Sequence, residues 1–264
     1  MRSSVSRVTD TYAPRRIESF SAWLRLLAGL GVVFGLFQWS ATALESNRGE
    51  AGLLVGLIVV AALLVVERLL FDRSVPTASR SLGFGVPHPR GLRLVIGIAA
   101  LMAVVILTFV GVTGARLTLL PGWLWLLPGL FAQGGIAEEA LFRGYLFGHL
   151  RVGRSFWRAA VLSTIPFVTV HLSLFWTMPW PIATAAILLS VALAAPLAHL
   201  FEAGGWTIWA PALLHFIIQG TVKVIVFPED VSSTFALWWM AAAAVLPWTV
   251  FLWRVTPSPR RALR

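Results

Sequence analysis

Eight long apolar stretches fill most of this chain of 264 residues, and they constrain its fold more than any single motif does. They run from about Leu26 to Leu44, Ala51 to Val66, Leu94 to Ala115, Pro121 to Leu150, Trp157 to Phe175, Trp180 to Phe201, Trp206 to Val226 and Val231 to Trp253. A helix rises about 1.5 Å per residue, so about 20 apolar residues cross the roughly 30 Å hydrocarbon core of a bilayer. The pattern predicts an all-α fold, a polytopic transmembrane helix bundle of about eight spans.

Composition points to the same class. Apolar types make up 58% of the chain and charged types 12%, against roughly 45–50% and about 25% in ordinary soluble proteins. A soluble globular enzyme and a disordered chain are both excluded, and the net charge of +10 does not mark a nucleic-acid-binding domain. Its cations fit a topology instead. With the N-terminus cytoplasmic, seventeen of the 21 Lys and Arg side chains fall on the cytoplasmic side and three on the other, with Arg143 left inside. That asymmetry is the positive-inside pattern, and it predicts cytoplasmic N- and C-termini in a multi-pass cell-membrane protein. Trp23, Trp123, Trp157, Trp180, Trp206 and Trp253 sit near proposed span ends, as belt residues do, whereas Trp238 and Trp239 fall within span eight. With no cysteine, disulfides and thiolate metal sites are excluded. The expected organisation is a polar N-terminal arm without structure (1–19), a membrane domain (20–254) with a catalytic core at about 117–226, and a basic cytoplasmic tail (255–264). Phe71 to Arg93, rich in Pro and Gly, reads as the one sizeable loop.

The informative residues are those that violate the apolar background. Ionisable groups inside spans cost about 2.5–3.5 kcal/mol each on insertion scales and are functional by default. Most acidic residues, Glu67 among them, fall just outside the spans, but Glu138 and Glu139 lie within the fourth. Two adjacent carboxylates in a low dielectric cannot both be ionised cheaply. Arg143 lies four residues beyond Glu139, on the same helical face, and can hold it. Glu138 points about 100° away and is free for another task.

His171 and His215 lie within two further spans, and Gln219 shares the face of His215. His88, His149 and His199 read as structural or solvent-facing. A glutamate beside an imidazole can deprotonate water, the general-base step of amide hydrolysis. A second imidazole and an amide can stabilise the oxyanion that follows. Equally, Glu138, His171 and His215 form a possible zinc set of the His₂Glu kind. The residues alone leave water activation without a cofactor and zinc-assisted activation both open. No G-x-S-x-G is present for a serine hydrolase, nor H-E-x-x-H for a helical zinc protease.

Glu138-Glu139-x-x-x-Arg143, then Phe167-x-x-x-His171, then His215-x-x-x-Gln219, each on a membrane helix, resembles the CPBP family of intramembrane proteases. That family includes the type II CAAX prenyl proteases of the Rce type and Abi-like bacteriocin-immunity proteins. The resemblance spans roughly Gly91 to Gln219. It implies that Glu138 and His171 activate the water, that His215 and Gln219 form the oxyanion site, and that Glu139, Arg143 and Phe167 support them. No cofactor is then required. The expected partners are the lipid bilayer and a peptide or protein substrate within it. The departure is Gln219, where the family pattern usually has Asn or Asp. Two other readings accompany the protease: a non-proteolytic scaffold or immunity protein on the same fold, and an ion-coupled transporter using the buried carboxylates and histidines.

Overall fold

A computed structural model of the chain describes residues 16–44 and 49–253. The expected tail and most of the expected N-terminal arm lie outside the described residues. The last residues of that arm depart from expectation. Ile17 is buried in the bundle, Arg16 pairs with Glu18 at 2.9 Å, and Arg154 donates to the Ile17 carbonyl.

Helix α1 (Phe20–Ala43) begins at Ser19, whose hydroxyl accepts from the Ala22 N–H at 3.2 Å. It lies against α2 (Glu50–Phe71): Gly29, early in α1, faces Val66, late in α2, which makes the pair antiparallel. Asp72, in the left-handed conformation, ends α2, and Ser74 and Pro76 start the short α3 (Val75–Ser81). The expected loop therefore contains a helix. Pro89, ideally placed at a first helical position, opens α4 (Pro89–Thr113), and Gly114 closes it at positive φ.

Next comes a continuous helical run over 123–151. It consists of α5 (Trp123–Leu130), a π-helical segment (Phe131–Ala137), a second π-helical segment (Ala140–Phe147) and α6 (Gly148–Arg151). Helices α7 (Phe156–His171), α8 (Leu174–Thr177), α9 (Trp180–Ala203), α10 (Trp209–Val224) and α11 (Glu229–Val245) follow. A 3-10 turn over Leu246–Phe251 extends α11.

Among the described residues, six helices or helical runs are long and apolar enough to cross a membrane. The exceptions among the eight expected spans are the run over 123–151, which carries Glu138, Glu139 and Arg143 in its middle and Arg151 at its end, and α10. At 16 residues α10 is about 24 Å long, shorter than a bilayer core. The fold is thus an all-α, multi-pass membrane bundle. Its outer faces carry exposed large apolar residues such as Leu24, Leu57, Leu107 and Leu188, as a lipid-facing surface requires.

Two apolar cores divide the interior. One joins α1, α2, the second π segment and α7; the other joins α4, α9, α10 and α11. The run over 123–151 is wedged between α2 and α10 by very close backbone approach. A Cβ on Gly52 would lie 2.7 Å from the Gly129 carbonyl oxygen, and one on Gly56 would lie 2.9 Å from that of Ala132. Small residues at this spacing are how membrane helices gain packing without a hydrophobic driving force. The wedge is tied at both ends of α10. A two-residue antiparallel ribbon pairs β1 (Thr118–Leu119) with β2 (Ile225–Val226). At the other end the Ile208 N–H donates to Gly83 O at 3.0 Å, and Trp209 Nε1 donates to Gly85 O at 2.8 Å. The ribbon sets the start of the 123–151 run beside the end of α10, and the Gly83 and Gly85 bonds fix the start of α10 to the loop between α3 and α4.

Candidate active site

The adjacent carboxylates sit on the short turn between the two π segments. A π-helix has a wider turn than an α-helix and occurs mostly as a brief insertion, often at functional sites. Glycines at 134, 135 and 144 flank the carboxylates and leave room for neighbouring elements to close in.

Glu139 is fully buried. Its Oε1 accepts from Arg143 Nη1 at 2.8 Å and from His215 Nδ1 at 2.7 Å, while its Oε2 has no hydrogen-bond partner among the described residues. Arg143 is 3% exposed, and its guanidinium lies 5.1 Å from the centre of the Phe167 ring. A cation held over an aromatic face gains further stabilisation when desolvated. The expected pairing of Glu139 with Arg143 is present, and Phe167 forms its other wall.

Glu138 is different. Its side chain keeps 17% of its exposure, against 0% for that of Glu139, and its Oε2 lies 3.7 Å from His215 Nε2. His215 therefore bridges the two carboxylates. A carboxylate held by arginine only accepts, so His215 Nδ1 carries a proton and donates it to Glu139. Its Nε2 lies 2.6 Å from Gln219 Nε2. The extra methylene of Gln219 does not keep the amide from His215.

His171 forms a separate arm. Its Nδ1 donates to the Phe167 carbonyl at 2.7 Å, which leaves Nε2 as the free ring nitrogen. Its ring lies 4.4 Å from that of Phe167 and 6.1 Å from that of Phe142. Among the described residues no hydrogen bond or ion pair joins it to Glu138 or His215. The structure thus gathers Glu138, Glu139, Arg143, His215 and Gln219, and links His171 to them through Phe167. No group of three His, Asp or Glu side chains that could hold a metal ion occurs among the described residues. The zinc set of Glu138, His171 and His215 is not gathered.

A second buried polar cluster lies away from these residues, where the sequence pattern does not place one. Helix α2 extends to Phe71, so Glu67, expected outside its span, lies within the helix and is fully buried. Glu67 accepts from Arg73 Nη1 at 2.8 Å, and its Oε1 lies 2.9 Å from His149 Nε2. Arg73 also donates to Ser81 Oγ at 2.9 Å. His149 is buried here as a structural residue. The helical spacing of Glu67, continuing the face of Leu63 and Val59, was the available signal. His88 caps α4, and His199 packs against Phe156 and Phe251.

Residues 118–221 match the family model described as Type II CAAX prenyl endopeptidase Rce1-like. This stretch, less than half of the chain, is similar to an Rce1-like domain. It starts at β1, later than the resemblance near Gly91 suggested, and ends two residues beyond Gln219. The matched stretch contains every candidate site residue, the wedge between α2 and α10, and helices α5 to α9 whole. Helices α1 to α4 and α11 lie outside the matched stretch. Neither the curated proteins nor the solved structures contain a match to the chain. Similarity to an Rce1-like domain, within a bundle of apolar helices, supports a CAAX-type intramembrane protease in general terms.

Proposed function

We propose that this chain is an intramembrane endopeptidase that hydrolyses peptide bonds of membrane-associated or lipidated substrates. The observation that carries the reading is the unequal treatment of the two carboxylates: Glu139 is locked by Arg143 and His215, while Glu138 beside it keeps access and makes no close ion pair. Glu138 takes a proton from water as the water oxygen attacks the scissile carbonyl, and returns it to the departing amine. His171 presents Nε2 as a second acceptor for that water. On the oxyanion side, one amide hydrogen of Gln219 goes to His215 Nε2 and the other is the donor the oxyanion meets. Glu139 and Arg143 act through His215 as positioning residues. The pathway as proposed needs no cofactor. The Arg distribution supports cytoplasmic termini and eight crossings, with the two weak spans stabilised by their neighbours.

The test is peptidase activity of the purified protein in proteoliposomes, on matched reporter peptides with and without a lipid tail. Glu138→Ala should abolish cleavage while the melting temperature holds. Cleavage by that variant at the wild-type rate would remove Glu138 as the base.

A further inference from the structure

Gly134 and Gly135 stand side by side in the first π segment, but what each avoids is different. A Cβ on Gly135 would lie 2.9 Å from the Ala212 carbonyl oxygen and 3.0 Å from the Phe131 ring. There the obstacle includes the backbone of α10, so Gly135 serves the packing of two helices. A Cβ on Gly134 would meet no backbone. Its neighbours are Oε1 of Gln219 at 2.7 Å and Cδ of the same residue at 3.5 Å. The space kept clear at 134 is filled by one carboxamide and nothing else.

That carboxamide is the one in contact with His215. Gln219 Nε2 sits 2.6 Å from His215 Nε2, and His215 Nδ1 sits 2.7 Å from Glu139. The amide is therefore seated from both ends, its oxygen in the notch of Gly134 and its nitrogen on the imidazole. Its carbonyl and NH₂ ends are interchangeable by a half-turn, so the same seat serves His215 with or without a proton on Nε2.

We infer that Gly134 is a positioning residue matched to Gln219: its missing side chain makes the seat that holds the longer amide on His215. This rests on the proposed roles of His215 and Gln219. Restoring ordinary van der Waals separation at Gly134→Ala moves the amide oxygen by about 0.7 Å, from 2.7 to 3.4 Å. A displacement near 1 Å in a catalytic group can cost about 100-fold in rate. The fold is not at risk in the same way, because the displaced atom is the end of a flexible side chain and alanine is the better helix former. Asparagine at 219, one methylene shorter, would not reach the notch, and a methyl group at 134 would then meet little.

The experiment compares wild type, Gly134→Ala, Gln219→Asn and the double variant, each reconstituted at full length in lipid with ¹⁵N-labelled histidine. The His215 Nε2 signal reads the seat directly, whether or not any peptide is cleaved. Gly134→Ala should shift that signal in the Gln219 background and leave it in place in the Gln219→Asn background. On reporter peptide, the same step should lower kcat about 10- to 100-fold with KM within about 2-fold, and by less than about 3-fold once Gln219 is Asn. An unmoved signal, or equal effects in both backgrounds, would overturn the match. If the signal moves as expected but wild type cleaves no reporter, the seat stands and the endopeptidase reading fails.

Discussion

Arg143→Met isolates the anchor of the site. The substitution keeps most of the apolar stem but removes the guanidinium that donates to Glu139 at 2.8 Å. Glu139 is then a fully buried carboxylate with His215 as its remaining donor, since its Oε2 has none among the described residues. Removing one partner of a buried ion pair costs about 3–5 kcal/mol, because an uncompensated charge stays behind. At roughly 2–4 °C per kcal/mol for a chain of this size, the melting temperature should fall by about 6–20 °C. Adding Glu139→Gln removes the stranded charge while the amide keeps an acceptor for the His215 Nδ1–H. The double variant should therefore recover at least half of the loss, a coupling of about 2 kcal/mol or more. Thermal unfolding in one detergent and lipid mixture, followed for all four proteins, measures it. Peptidase activity should not return with stability, because the carboxylate that orients His215 is gone. A melting temperature within about 2 °C of wild type for Arg143→Met, or losses that simply add, would refute the reasoning.

Other outcomes follow from the same geometry. Glu138→Gln should lower the cleavage rate about 10²–10⁴-fold with stability unchanged, since the side chain is partly exposed and its nearest ionic neighbour is 3.7 Å away; if a cellular complementation assay is restored fully by that variant, the scaffold reading gains instead. Phe167→Ala should destabilise by about 3–5 kcal/mol through loss of a buried ring and of its contact with Arg143, whereas His171→Ala, at the half-buried end of α7, should lose activity without a comparable loss in melting temperature. Glu67→Ala should destabilise by about 3 kcal/mol or more by leaving Arg73 without its carboxylate, and the fraction that stays folded should cleave reporter normally. Exhaustive chelation, with metal analysis of the purified protein, should leave cleavage at the untreated rate; loss restored by zinc would reinstate the metal route.

The apolar helices were legible because their signal is local. Eighteen or more apolar residues need no knowledge of the partner, and punctuation such as Ser19, Pro89 and Gly114 marks ends within a few residues. The pairing of Glu139 with Arg143 was legible for the same reason, being one turn apart on one helix. Contacts set by tertiary structure were not. Glu67 meets His149 across 82 positions, and a hydropathy window stops at the first charge, so the carboxylate was placed outside the span that buries it. The two π segments have no sequence period of their own, and the two-residue ribbon of β1 and β2 is too short to carry one. Trp238 and Trp239 show how fine the failure can be. Trp239 is buried and donates to Ile218 O at 2.9 Å, while its neighbour faces outward. The convergence expected of His171 also depends on tertiary packing, and there the contact runs through Phe167 rather than directly to Glu138.

The two helices that are poorest as membrane spans are the two that carry the gathered residues, and this has a physical reason. Glu138, Glu139 and Arg143, in the middle of the 123–151 run, would together cost about 8–10 kcal/mol in a helix facing lipid alone. The cost is offset only when Glu139, Arg143 and His215 satisfy one another, and His215 comes from α10. Burial of the charged middle of the 123–151 run therefore depends on assembly of the site, which the glycine contacts with α2 and the ties at each end of α10 support. A shorter α10 is tolerated for the same reason, since its ends are held by the ribbon and by the Gly83–Gly85 loop rather than by bilayer thickness. The apolar helices around them supply the low dielectric in which a locked carboxylate and its accessible neighbour behave differently. The chemistry proposed for Glu138 depends on that contrast, and so on glycines such as Gly52 and Gly56 that touch none of the groups assigned to it.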